Sequence, residues 1–398
     1  MTTRKTPRSS SLRSLLVGAL VGGVIAASAV LVKRVVAGPS DDAVAPALEP
    51  WQKVLAVVGA LVVMLLVIAL HEAGHLLGGR LAGFRAMLFI VGPLRLERTA
   101  DGWHARLNRE LGAWGGMVSS IPEDDRDLRR RMLRLVAGGP VASLVGALAA
   151  ALLWLATSDA NGGRPPDLAR HFANQALALF AIGSLGIGVV TLIPARTGGF
   201  ATDGAQILKL ARGGPEAERT LATLSLVGMS MAGRRPREWP AGLVERVAAP
   251  PAPDSATAPG DALARLMGLL LAYSHALDGG DAATARAHLT LLLSELDALP
   301  PGLRPLIHHE AAYQAALAGD AAAGRVHLEA AAATPSLATD AHTKPLAEAA
   351  VAWAEGDHQR AAALLDAART LLPRTLDRGG AQLDSDRISA LAARLVRG

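Results

Sequence analysis

Four stretches of the chain are nearly uncharged over the roughly 20 residues a helix needs to cross a bilayer. They are Leu15–Val32, Val54–Leu70, Leu135–Ala156 and Phe172–Ile193, and each predicts a transmembrane helix. Between the second and third, the period changes. In "AMLFIVGPLRLERTADGWHARLN" apolar and polar residues alternate around the turn signal "ADG", which predicts a short β-hairpin or small sheet. The following "GGMVSSIPEDDRD" reads as a loop. Beyond the fourth stretch, "PEAERTLATLSLVGMSMAG" predicts a helix and "AAPPAPDSATAPG" a proline-rich linker.

The remainder is repetitive. "AYSHALDGGDAATARAHLTLL", "AAYQAALAGDAAAGRVHLEAA" and "AAVAWAEGDHQRAAALLDAAR" share small apolar residues, a Gly-Asp pair and an Ala/Leu helix. Gly280-Asp281, Gly319-Asp320 and Gly356-Asp357 stand about 37–39 positions apart, within the range of helical repeats. Glycine can end one helix in left-handed geometry and aspartate can cap the next. Stacked helix pairs resembling tetratricopeptide repeats are expected, with one irregular helical bundle as the alternative.

The expected fold class is thus mainly α. It is a polytopic membrane protein of about four transmembrane helices with a small sheet after the second, plus a C-terminal helical repeat domain. The division reads 1–50 (tail, first anchor and short loop), 51–213 (membrane core), 214–260 (helix and linker) and 261–398 (repeats). Leu15–Val32 could be a signal peptide, but Lys33-Arg34 follow it directly and no small-x-small cleavage site comes after it, so a retained anchor is expected. Gly18 and Gly22 form one GxxxG within it.

Charge sets the direction. The net charge of +5 comes mainly from arginine beside the apolar runs, which suggests topology rather than nucleic-acid binding. Arg4, Lys5, Arg8 and Arg13 precede the first run, and "RDLRRRMLR" precedes the third. By the positive-inside rule both termini are expected in the cytoplasm of a plasma or inner membrane. Hydrophobic residues make up 51% of the chain and cysteine is absent. The latter excludes disulfides, thiolate metal sites and cysteine nucleophiles.

One of these apolar runs ends in "VIALHEAGHL", although ionisable groups at membrane depth are costly and tend to mark function. On a helix His71 and His75 share a face and can offer two imidazoles to one metal, with Glu72 beside a metal-bound water. Zinc suits this set, but a catalytic zinc needs a third ligand and an open position. Position 81, where metzincins have a third histidine, is Leu81. Glu97 and Glu110 are available but lie in strand-like or loop sequence. Asp203 is the better candidate: it precedes Gly204, opens an apparent helix after the fourth run, and stands at the same depth as His71.

This order of motifs resembles the site-2 protease family of intramembrane zinc metalloproteases over residues 51–210. "HEAGH" matches in full, "LVAGGPVASLVGAL" resembles the family's Gly-Pro motif at Gly139 and Pro140, and "TLIP" with "DG" matches at Pro194, Asp203 and Gly204. Thr191 and Ser143 stand at usual Asn positions, and Pro194–Asp203 is longer than usual. The resemblance implies one Zn2+ per chain on His71, His75 and Asp203, with Glu72 as general base. It also implies a transmembrane protein substrate, held extended by strand addition to the hairpin around Met87–Leu107. The lipid bilayer and a protein partner on the repeats complete the expected partners; no PDZ-like signature is evident. The competing reading is a non-catalytic membrane scaffold with a structural or vestigial metal site, for which Glu72 would have no use.

Overall fold

The second apolar run folds as one helix, α1 (Pro50–Leu81), 32 residues long and so about 48 Å from end to end. Pro50 stands at its first turn, and the Glu49 amide donates to Gln52 Oε1 at 2.8 Å. The third and fourth runs form α2 (Leu128–Asp159) and α3 (Leu168–Leu192). All three are long and apolar enough to cross a membrane. The computed structural model describes residues 49–99, 101–108, 114–159, 168–197, 200–250, 259–299, 301–334 and 341–397. The first expected span, Leu15–Val32, lies outside them.

The described residues are mainly helical, with 13 helices and a small four-stranded sheet. The chain divides into two units. The second comprises Gly213–Gly398 with Arg98–His104 and Ile121–Leu128, and the first the rest.

In the first unit, large aliphatic side chains point outward along all three long helices: Val54, Leu61, Val145, Leu148 and Leu185 are each more than half exposed. A continuous apolar exterior of this kind marks contact with lipid or protein. The arginines before the third run also hold helix ends together. Arg131 donates to the carbonyls of Ala82 (2.6 Å) and Gly83 (2.7 Å), just past α1. Arg129 donates to Leu210 (2.5 Å) and Ala211 (2.6 Å), near the end of α4 (Asp203–Arg212). Cationic donors suit the carbonyl-rich ends of helices.

After α1 come β1 (Phe84–Val91), β2 (Leu94–Thr99), β3 (Gly102–Leu107) and β4 (Met117–Pro122), in sheet order β3-β2-β1-β4. Val91 pairs with Leu94 across a tight turn. The expected hairpin is present, but "MVSSIP" is a strand rather than a loop. Its serines break the apolar alternation that would announce a strand, and pairing with β1 supplies its backbone partners instead. In the stretch between Pro194 and Asp203, β5 (Arg196–Thr197) pairs antiparallel with β6 (Phe200–Ala201) and folds the chain back.

The second unit begins with α5 (Pro215–Met231) and α6 (Ala241–Ala248). Leu226, Trp239 and Val247 bury against Ala272 of α7 (Pro259–Asp278). Most of the stretch expected as helix and linker therefore belongs to the helical unit; residues 251–258 lie outside the described residues. Three helix pairs follow: α7 with α8 (Ala282–Ser294), α9 (Arg304–Leu317) with α10 (Ala321–Ala332), and α11 (Thr343–Ala354) with α12 (His358–Leu371). Gly280, Gly319 and Gly356 have φ of +80°, +87° and +83°. Asp281, Asp320 and Asp357 accept from the amides of Thr284 (3.0 Å), Ala323 (2.9 Å) and Arg360 (3.0 Å). The turn chemistry read from the sequence is thus present at all three junctions.

The last helix, α13 (Arg378–Arg397), carries Arg387 into this unit. Arg387 donates to Glu310 (2.9 and 3.0 Å) and Asp384 (2.7 Å) and lies 4.0 Å from the Tyr313 ring centroid. Burial opposes its charge, but Glu310 and Asp384 outweigh that and raise its pKa. Arg387→Met would leave Glu310 with only the Tyr273 hydroxyl, and Asp384 with only His342. Breaking a buried pair in this way costs about 3–5 kcal/mol. Hydrogen exchange on the full chain should show faster opening of α9 and α13 while α1 is unaffected; unchanged protection would show that the network contributes little.

Candidate metal centre

Four-residue spacing on α1 puts His71 and His75 side by side, with ring centroids 4.9 Å apart and planes at 87°. Both rings and Glu72 are buried. What seats them is the close approach of α2. A side chain on Gly74 would run into the Gly138 carbonyl, and one on Gly138 into the Gly74 carbonyl, so only glycine permits the crossing. A Cβ on Gly139, in the Gly-Pro motif, would collide with His75 Nε2.

Each imidazole is oriented through its other nitrogen. His75 Nδ1 lies 3.1 Å from the Leu135 carbonyl, and His71 Nδ1 lies 2.9 Å from Ser143 Oγ. A carbonyl only accepts, so His75 donates from Nδ1 and a neutral ring keeps a lone pair on Nε2. The Ser143 hydroxyl can accept from His71 in the same way. The two Nε2 atoms are 3.3 Å apart. Ser143, which stands where the resembled family often has Asn, therefore serves as the partner that orients His71.

The third group arrives from the end of α3. Thr202 Oγ1 donates to the Ile193 carbonyl (2.7 Å) and accepts from the amides of Ala195 (3.1 Å) and Ala205 (3.3 Å). It thereby fastens the loop and starts α4. A side chain on Gly204 would overlap the Leu192 carbonyl, which explains glycine after Asp203. The Asp203 carboxylate then lies 3.2 Å from His71 Nε2 and 3.5 Å from His75 Nε2.

These three side chains form the one group among the described residues that could hold a metal ion, their ligand atoms all lying within 4.8 Å of one another. A tetrahedral centre with ligand bonds of about 2.0–2.2 Å sets its ligand atoms roughly 3.3–3.6 Å apart. The two imidazole nitrogens, 3.3 Å apart, fit that figure, and each is approached by a different oxygen of the Asp203 carboxylate, at 3.2 and 3.5 Å. With both rings protonated at Nδ1, two lone pairs and a carboxylate face one another, as expected of a site built for a cation.

Glu72 sits one position after His71 and faces Gly116, where φ is +100° and any Cβ would meet the Glu72 carboxylate. Gly116 directly precedes β4, so an edge strand starts at this carboxylate. Glu97, an alternative ligand in the sequence, is instead held by Arg95 (2.8 Å) and Arg106 (3.0 Å). Glu110 lies outside the described residues. Thr191 Oγ1 is buried without a hydrogen-bond partner among them.

Sequence reasoning missed Leu135, Thr202 and Gly116. A threonine just before a helix-opening Asp-Gly is a cap signal and could have revealed Thr202. A backbone carbonyl and a glycine in a loop carry no such mark.

Gly139→Ala should displace the His75 ring and lower metal binding by the purified protein, with expression unchanged. Val141→Ala, an exposed neighbour on α2, is the comparison. Equal metal content in the two variants would show that α2 can withdraw without cost. Comparisons with protein-family models, curated proteins and solved structures gave no match.

Proposed function

We propose that the chain is an intramembrane zinc metalloprotease similar to the site-2 proteases, hydrolysing peptide bonds of membrane-embedded substrates. One observation carries this reading. His71, His75 and Asp203 converge with ligand atoms within 4.8 Å of one another, beside the buried Glu72 carboxylate, towards one end of a helix long and apolar enough to cross a membrane.

Zinc bound by these three side chains supplies Lewis-acid polarisation of the scissile carbonyl and acidifies a water molecule. The chain's own groups do the rest. Glu72 takes the proton of the attacking water and returns it to the leaving amine, so that water adds across the peptide bond with no net proton change. Ser143 and the Leu135 carbonyl keep the imidazoles turned to the centre. The unpaired Thr191 hydroxyl can donate to the substrate backbone.

A substrate helix must unwind, since its amides are otherwise satisfied internally. The edge strand β4, which begins beside Glu72, is better placed to hold it extended than the inner hairpin strands β1 and β2. In this reading the helical unit recruits a protein partner.

Cells carrying wild-type protein or Glu72→Gln should differ in at least one membrane protein, which accumulates uncut in the variant. If truncation after Gly260 gives a phenotype and Glu72→Gln gives none, the scaffold reading replaces this one. Topology has its own check. Reporter fusions after Gly162 and after Gly260 should lie on opposite sides of the membrane; the same side for both would remove a span and separate Asp203 from the histidines.

A further inference from the structure

The arginines that open α2 fall into two sets. Arg129 and Arg131 donate to the Leu210 and Ala82 carbonyls at the ends of α4 and α1. Arg130 and Arg134 are exposed instead, and no carboxylate among the described residues pairs with either. Residues four apart share a helix face, and this face continues along α2 as Val141, Val145, Leu148 and Leu152. Each of these is more than half exposed. At 3.6 residues per turn all six positions fall within a sector of about 60°. One stripe thus runs from two unneutralised arginines into an unbroken aliphatic surface.

The lengths match a bilayer. The uncharged stretch Leu135–Ala156 rises about 33 Å as a helix, close to the roughly 30 Å of a hydrocarbon core. Arg134 then stands at the edge of that core, and Arg130 about 6 Å farther out, in the headgroup layer.

We propose that Arg130 and Arg134 hold the phosphate of an anionic phospholipid headgroup. The proposal rests on α2 crossing the membrane. Guanidinium groups present paired donors that match phosphate oxygens. Two such charges with no carboxylate beside them favour a lipid of net negative charge over a zwitterion, which brings a cation of its own. The aliphatic stripe gives the acyl chains a surface to lie along, which a soluble phosphate would leave unused.

Because the chain has no cysteine, one fluorophore can be attached at Val141→Cys in the full-length protein, two turns along the stripe from Arg134. The protein is reconstituted in phosphatidylcholine vesicles, and brominated lipids that reach the label quench it. Brominated phosphatidylglycerol should quench with higher apparent affinity than brominated phosphatidylcholine, by about fivefold for each arginine. In Arg130→Gln/Arg134→Gln the two lipids should quench alike. Quenching by phosphatidylcholine should stay at the wild-type level, showing that the helix is seated as before. A label at Leu155→Cys, exposed near the other end of the stripe, should show no preference. Equal quenching by both lipids at Val141→Cys would overturn the proposal. So would a preference that survives the double substitution or recurs at Leu155→Cys. Loss of the preference when inorganic phosphate replaces chloride at constant ionic strength would assign the pair to a soluble phosphate and also overturn it. Quenching by neither lipid would remove the membrane reading together with the proposal.

Discussion

Glu72→Gln is expected to stop peptide-bond hydrolysis while leaving zinc content and fold intact. Glutamine matches glutamate in size and hydrogen-bonding reach, and the carboxylate is not one of the three groups converging on the centre. What it loses is basicity. General acid–base catalysis contributes about 10²–10⁴-fold in rate, which corresponds to roughly 3–5 kcal/mol at 1.36 kcal/mol per tenfold change. Here one group serves as base and then as acid, so the loss should lie at the upper end of that range or beyond. The measurement is single-turnover cleavage, in detergent, of a membrane protein found to accumulate in the variant, beside elemental analysis of the same preparation. Wild-type rates with normal zinc would remove Glu72 from the chemistry. Absent zinc would mean that Glu72 supports the metal, and the catalytic assignment would again fall.

At the proposed zinc site, Asp203→Ala should remove most of the metal, because only two imidazoles would remain to hold it. Among the described residues Asp203 makes no ion pair besides its approach to the two histidines. Thr202, not Asp203, fastens the loop, so membrane expression should persist. Activity should fall together with metal content across Asp203→Ala, His71→Ala and His75→Ala, and excess zinc should restore little. Unchanged zinc content in Asp203→Ala would move the third ligand elsewhere. Glu97 is then a poor substitute, since Arg95 and Arg106 already hold it, and Glu110 would be the next residue to replace.

Much of this protein is determined by local pattern. Three uncharged runs of bilayer length fold as helices, each pairing its own backbone groups within the segment. The Gly-Asp junctions specify their turns within a few residues: glycine takes the left-handed conformation and aspartate caps the next helix, with no need of distant partners. His71, Glu72 and His75 are likewise local, since helical spacing alone puts both imidazoles on one face.

Tertiary structure decided the rest, where partners lie far apart in the chain. Asp203 reaches the histidines only because Thr202 and Gly204 dock the loop against the end of α3. The tautomers depend on Ser143 and Leu135, sixty or more positions beyond the histidines they hold, brought near by the glycine crossing of α1 and α2. Strand β4 has too little alternation of its own and exists through pairing with β1. The arginines ahead of the third apolar run looked like a topology signal alone, yet two of them, in the first turn of α2, also hold the ends of neighbouring helices. Each of these features is a long-range pairing of backbone or side-chain polar groups, which chain order does not reveal until the helices pack.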